Sequence, residues 1–225
     1  MSPKNSPGGD GFTADICYKT YSAEPAILLK IFNKCLTLGY FPKIWKNAII
    51  RIILKPNRDD YTLAKSHRPI GLLPILGKVL EKLFVTRLTW QIGRHSKLSN
   101  RQYGFVPQRG TEDALNDALE VVKKCVKNKQ MAVIVSIDIE GAFDNAWWPG
   151  VIVALQKKEI DKTTLKLIDS YLSDRSITLR YANTEIGRST DKGCIQGSIC
   201  GHRIPCFKKL RPGMYTCRLM PTILY

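Results

Sequence analysis

No apolar run in this chain approaches the ~20 residues of a membrane-spanning helix, and no basic amphipathic anchor stands out. A membrane role is therefore not expected. The first residues, MSPKNSPGGDGF, lack the apolar core of a secretory signal, which points to a reducing, intracellular setting and to seven cysteines held mostly as free thiols. Four of these, Cys194, Cys200, Cys206 and Cys217, lie in the last part of the chain with His202 among them. Structural zinc sites usually pair ligands two to four residues apart; here five, five and ten residues intervene. The cluster is read as coincidence. Acidic residues are scarce, nineteen against thirty-five Lys and Arg, and none follows Asp191. The resulting net charge of +16 exceeds what solubility requires and implies a polyanionic partner, with nucleic acid preferred to lipid headgroups.

What the chain does contain is enough apolar residue, 44% of 225, for a sizeable core in one domain or two closely packed subdomains. Its focus is Val133 to Trp148, VIVSIDIEGAFDNAWW. Val133, Ile134, Val135 and Ile137 read as a strand buried on both faces that delivers Asp138 near its carboxyl end. Asp138, Glu140 and Asp144 place three acids in seven positions, where a hard oxygen-liganded cation such as Mg²⁺ would relieve their repulsion. Gly141-Ala142 permits a sharp turn, and Phe143 adds a flat apolar wall, together suggesting a nucleotide pocket. The same pattern also fits a strand whose terminal Asp caps a following helix.

In chain order, Ser6 to Gly11 is turn-rich. Pro25 starts a helix with Leu28, Ile31, Phe32, Cys35 and Leu38 on one face and Gly39 just beyond. Ala48 to Leu54 reads as a strand with Arg51 in its middle, reaching a rim or partner. Lys55 to Lys65 is a charged loop in which the Asp59-Asp60 pair is surface. Arg68 precedes Pro69 and is therefore extended, held for phosphate contact or simply exposed. A helix from about Leu76 to Gln91 turns Val79, Leu80, Leu83, Phe84 and Leu88 inward and Lys78, Lys82 and Arg87 outward. Gln102 to Thr111 is a Gly- and Pro-punctuated loop around Arg109, and from Thr111 a helix offers Leu115, Ala118, Leu119, Val122, Cys125 and Val126 as an apolar face. An amphipathic segment from about Thr163 precedes a hairpin of Ile177–Tyr181 and Glu185–Thr190. In Lys192 to Ser198, Gly193 and Gly197 let a backbone pass close to a base pair or sugar, with Gln196 as the polar reader. Residues 201 to 225 carry three prolines, five basic residues and no acid, and do not read as continued fold.

The ordered blocks SPGGDGFTADI, HRPIGLLPILGKVLEKL, QYGFVPQRGTEDAL, VSIDIEGAFDNAWW and KGCIQGSICG resemble the reverse-transcriptase domain of non-LTR (LINE-like) retrotransposons, and most closely the branch inserting into ribosomal-DNA or telomeric repeats. The resemblance covers residues 1 to about 201. It implies an α+β right-hand polymerase with fingers over 1–130, a partial palm over 131–200, an irregular tail over 201–225 and no thumb. It implies Asp138 as catalytic aspartate and, with the Ile139 carbonyl, as metal ligand for Mg²⁺ or Mn²⁺. Ile139, Ala142, Phe143 (as steric gate), Gln196 and Gly197 would contact the nucleotide, and Arg68 and Arg109 the template or triphosphate.

The implied partners are an RNA template, a DNA primer or target and deoxynucleoside triphosphates, in the nucleus. Two departures stand out. Val106 replaces the arginine that many relatives have directly after Gly-Phe. From Gly201 the family continues with a proline, an apolar helix and a strand turn bearing two adjacent aspartates, none of which occurs here; a frameshifted or truncated copy, inactive as it stands, is the expectation. A nucleic-acid-binding module without catalysis is the second expectation.

Overall fold

The computed structural model describes residues 6–94, 99, 101–104, 106, 108–136, 144–181 and 184–200. Thr13 caps α1 (Ala14–Ala23) by accepting from the Ile16 amide, and α2 (Pro25–Leu38) begins on a proline and stops at Gly39, whose left-handed backbone, φ 61°, closes the helix. Two strands follow, β1 (Asn47–Leu54) and β2 (His67–Leu72), and then the long α3 (Ile75–Arg94). After α4 (Thr111–Lys127) come α5 (Trp148–Gln156), α6 (Lys162–Leu172), β3 (Arg175–Tyr181) and β4 (Thr184–Thr190). The result is a mixed α and β fold.

The described strands form one sheet in the order β2-β1-β3-β4. β1 pairs antiparallel with β2 and parallel with β3, and β3 with β4 makes the expected hairpin. The sheet thus joins strands from both sides of residue 130. Beside it lies a helical core in which α6 is central: Leu167, Ile168, Tyr171 and Leu172 pack with Leu80, Phe84 and Leu88 of α3, Phe32 of α2 and Val151 and Leu155 of α5. The Phe41 ring meets Tyr171 edge-on at 5.1 Å, and Phe84 meets it at 5.2 Å, a geometry that suits the aromatic quadrupole. Asp161 fastens this layer by capping α6 through the Thr164 amide while accepting from Gln91 of α3.

Two sequence expectations are corrected. Val133, Ile134 and Val135 are not a buried strand: residues 132–136 belong to no strand, and all three side chains are at least 60% exposed. The hairpin accordingly shares its sheet with β1 rather than with this run. An apolar run states which burial its residues favour, not which neighbour supplies it, and among the described residues the sheet is built from β1 to β4 alone. The second correction concerns α4, which forms from Thr111 as expected but buries none of its residues; Leu115 is 61% and Val126 67% exposed. Amphipathic period forms the helix, while burial needs a facing surface. Smaller differences occur where helix stripes are narrower than their composition: Ile31, Leu38 and Leu83 are exposed beside buried Leu28, Phe32, Leu80 and Phe84.

Candidate nucleotide site and nucleic-acid face

Asp138, Ile139, Ala142 and Phe143 lie outside the described residues, as do Ile137, Glu140 and Gly141. The end of their block is described, and it meets Lys192 and Gly193, which lead into the Gln196–Gly197 turn. Gly193 donates from its amide to the Ala146 carbonyl at 2.8 Å, Trp148 donates from Nε1 to the Gly193 carbonyl at 2.9 Å, and Lys192 reaches Asn145 Oδ1 at 3.1 Å. Trp147 and Lys192 pair as an isolated antiparallel bridge. A side chain at Gly193 would lie 2.5 Å from the Asp144 carbonyl, so the two backbones are in direct contact.

The other side of the turn docks on β2. The Gly71 amide donates to the Gln196 carbonyl at 2.7 Å, satisfying an edge-strand donor that the sheet leaves free. Both glycines at this contact are required by space. A Cβ on Gly71 would fall 2.0 Å from Ile195 Cγ2, and one on Gly197, which has φ 111°, would fall 2.6 Å from the Gly71 carbonyl oxygen. Ser198 is buried beneath the turn, whereas Gln196 and Gly197 are exposed above it. Three separated blocks, His67–Leu73, Asp144–Trp148 and Lys192–Cys200, are thus stitched together, with the Gln196 side chain free at their junction.

Arg68 occupies an exposed position on β2, where register places it opposite Ile53. Alternation along the strands puts Arg68, Ile70 and Leu72 on the same sheet face as Ile49, Arg51 and Ile53. Arg51 and Arg180, with Ile49, Ile53, Ile70, Leu72 and the Ser6–Gly8 turn, line an open groove of about 590 Å³ on this face. A Cβ on Gly197 would lie 3.9 Å from Cγ2 of Ile70, one of the groove's lining residues. Arg180 is paired with Glu185 at 2.8 Å, both exposed, a geometry worth little in water. The face combines cationic heads with apolar floor, a surface suited to phosphates and unstacked bases.

Arg109 is used differently from Arg68. Its Nη1 donates to the Ser99 and Gln102 carbonyls at 3.0 Å each, tying together the loop that Tyr103 anchors to α4 through Asp117. The hydrogen bond to Asp117 raises the Tyr103 hydroxyl above its usual value.

Sequence reasoning missed Glu81. It is 1% exposed on α3, and its Oε1 accepts from Tyr171 at 2.8 Å, from the Cys200 amide at 2.8 Å and from Ser198 Oγ. The available signal was a charged residue in the stripe Gly77, Glu81, Phe84, Leu88, Ile92, where an outward residue has no place. Arg175, 4% exposed, sits 4.4 Å over the Tyr171 ring on the other side of that hydroxyl's residue. Burial pushes the Tyr171 hydroxyl and the Cys200 thiol well up; burial also carries Cys194 up to about 12, against the pull of Arg175.

No three His, Cys, Asp or Glu side chains among the described residues are placed to share a metal ion. Among the described residues no helix is long and apolar enough to cross a membrane.

Comparison with known proteins bears on the same stretch. Residues 53–204 match the family model described as reverse transcriptase (RNA-dependent DNA polymerase). The chain is 32% identical over 201 residues, 89% of its length, to a putative 115 kDa protein in the type-1 retrotransposable element R1DM of Drosophila melanogaster. It is 34% identical over 178 residues, 77% of its length, to the RNA-directed DNA polymerase from mobile element jockey of the same species. A third relative is the probable RNA-directed DNA polymerase from transposon BS of Drosophila melanogaster, 32% identical over 203 residues and 88% of the chain. The chain spans about a fifth of the length of these relatives: 19%, 19% and 22%.

Proposed function

Because the chain belongs to the reverse transcriptase (RNA-dependent DNA polymerase) family, within its non-LTR retrotransposon members, we propose that residues 6–200 form the nucleotide-binding part of an RNA-directed DNA polymerase. In this reading they span the fingers and the start of the palm. The observation that carries it is the packing of the Lys192–Cys200 segment between two other blocks, the end of the Asp138 block at Lys192 and Gly193 and β2 at the Gln196 carbonyl, with the Gln196 side chain left exposed. Gln196 and the bare backbone of Gly197 lie against the incoming deoxynucleotide, Phe143 stands against its sugar, and Ile139 and Ala142 complete the pocket. Asp138 with the Ile139 carbonyl would hold Mg²⁺, or Mn²⁺ in its place. When bound, a divalent pair polarises the α-phosphate and stabilises both the attacking primer hydroxyl and the leaving pyrophosphate. Arg68, exposed on the groove face, takes the triphosphate or template phosphates; Arg109 serves them indirectly by shaping its loop. An RNA template and a DNA primer, met in the nucleus, are the partners.

Titrating the chain with dTTP and Mg²⁺ tests the reading. Saturable binding that weakens about tenfold in Gln196→Ala and in Arg68→Ala is expected, each variant losing one charge-assisted or buried polar contact. Binding equal in all three proteins would overturn it.

A second reading, a nucleic-acid-binding module without catalysis, is favoured by the net charge of +16 and by Arg51, Arg68 and Arg180 on one sheet face. Both readings predict a steep salt dependence: with six or more phosphate contacts, affinity falls about 10³-fold or more between roughly 50 and 200 mM salt. Arg51→Ala with Arg68→Ala should lower the slope of that dependence by about 2. They separate on the triphosphate, which only the first requires.

A further inference from the structure

We propose that Glu81 is a positioning residue, one that holds the Gln196–Gly197 turn against β2 without itself touching nucleotide. Its functional consequence rests on the nucleotide reading of that turn, while its geometry does not. The turn is gripped at two ends. Upstream, the Gln196 carbonyl is fixed by the Gly71 amide; downstream, Ser198 Oγ and the Cys200 amide both close on the Glu81 carboxylate. The third donor, Tyr171, also lies 3.0 Å from Ser198 Oγ, so hydroxyl, hydroxyl and carboxylate make a closed triangle. Only Gly197 separates Ser198 from Gln196, and three residues separate Cys200 from it, too short a length of chain for Gln196 to move while both anchors hold.

The chemistry argues for position over packing. Glu81 sits among Leu80, Phe84 and Leu88, all at most 1% exposed, where a leucine or methionine would fill the same volume without the cost of removing a carboxylate from water. An apolar side chain has no direction. A carboxylate offers charge-assisted bonds whose geometry defines where three donors must sit, and loosening any one leaves a buried polar group unsatisfied. Arg175 packs over the Tyr171 ring, and its Nη1 donates to the Tyr171 carbonyl at 3.1 Å. Glu81 thereby links α3 and α6, the most buried layer, to the segment whose far side is exposed at the junction of the three blocks.

The test is hydrogen exchange on the full 225-residue chain and its Glu81→Gln and Glu81→Leu variants, read at the Gly71 amide. That amide bonds Gln196 and does not touch Glu81, and the Ile168 amide in α6 serves as the reference for global opening. Weakening the acceptor should accelerate Gly71 exchange about tenfold in Glu81→Gln and further in Glu81→Leu, with Ile168 unchanged. A packing role predicts the reverse order, with Glu81→Leu protected at least as well as the parent chain; that outcome overturns the proposal, as does equal acceleration at Gly71 and Ile168. Should Glu81→Leu not fold, Ser198→Ala takes its place, and an unchanged Gly71 rate in both Ser198→Ala and Glu81→Gln is decisive against it. A dTTP titration with Mg²⁺ on the same proteins should weaken in the order Glu81, Glu81→Gln, Glu81→Leu. If Gly71 responds while the parent chain binds no dTTP, positioning stands and the nucleotide reading of the turn falls.

Discussion

Gly71 and Gln196, 125 positions apart, share a 2.7 Å hydrogen bond from the amide of one to the carbonyl of the other, and through it an edge strand and a distant glycine turn become one surface. The two glycines at this contact, Gly71 and Gly197, are both closely approached but are not equivalent. Gly197→Ala would place a methyl 2.6 Å from a backbone oxygen at φ 111°, where neither neighbour can yield. Gly71→Ala would meet the Ile195 Cγ2 methyl at 2.0 Å, with the Gln196 carbonyl oxygen and Ala48 Cβ at 3.4 and 3.5 Å. We expect Gly197→Ala to destabilise by about 2 kcal/mol or more and Gly71→Ala by less, because a rotamer change relieves the latter. Urea unfolding of both variants decides it; equal losses would mean that the turn relaxes as a unit.

Acid should loosen the α3–α6 contact first at Asp161. Burial raises its carboxyl, but the Thr164 hydroxyl and amide, Gln91 and the Arg87 charge outweigh that and hold it below the usual carboxylate value. A folded value below the unfolded one contributes stability that is fully present above the unfolded pKa, about 3.9, and is lost as pH falls through the folded value. Asp161→Ala should cost about 1 kcal/mol at neutral pH as a lost helix cap, and flatten the acid limb of the stability curve. Thermal unfolding of both proteins between pH 7 and 3 would reject this if the difference persisted undiminished at the acid end.

The thiols report on the same clamp. With Cys194 carried up to about 12 by burial, only about one molecule in 10⁴ is thiolate at pH 8, and burial pushes Cys200 well up in the same direction. Iodoacetamide at pH 8, mapped by mass spectrometry, should label Cys125 in α4 while leaving Cys194 and Cys200 unmodified. Labelling of Cys194 as fast as Cys125 would show the 193–200 segment lifting from the core.

Local chemistry made much of this molecule legible beforehand. Pro25 and Gly39 bounded α2, period-two alternation gave the hairpin, and Arg68 before Pro69 gave an extended β2. Partnership was harder to read. The run Val133–Val135 has the composition of a central strand yet stands exposed, and the α4 stripe is formed but uncovered, because composition records a preference and not the surface that meets it. At the site, the glycines around Gln196 marked a close approach without saying to what; that Gly71 is the answer depends on tertiary structure. Glu81 was hidden between Leu80 and Lys82, where a run of charges suggests a solvated face. Its position in the apolar stripe was the clue.

The last expectation concerns turnover. Transfer of a deoxynucleotide requires several carboxylates to hold a metal pair about 3.5–4 Å apart. No Asp or Glu follows Asp191 in these 225 residues, and the described acids form no group able to share an ion. If Asp138 holds one ion as proposed, Glu140 and Asp144, from the same short stretch of sequence, would give the second ion no rigid frame, and a misplacement of ~1 Å can cost about 10² in rate. We therefore expect the 225-residue chain to bind primed RNA template and dTTP without extending the primer. Incorporation with Mg²⁺ or Mn²⁺ should not exceed that of Asp138→Ala. A signal above that control would overturn the expectation and assign Glu140 or Asp144 to the metal. Conversely, a longer chain that continues residues 1–200 into a segment bearing two adjacent aspartates should extend the primer in a manner abolished by Asp138→Ala. If that longer chain folds, binds dTTP and still fails, missing carboxylates are not the cause, and Val106 in the loop shaped by Arg109 becomes the position to change.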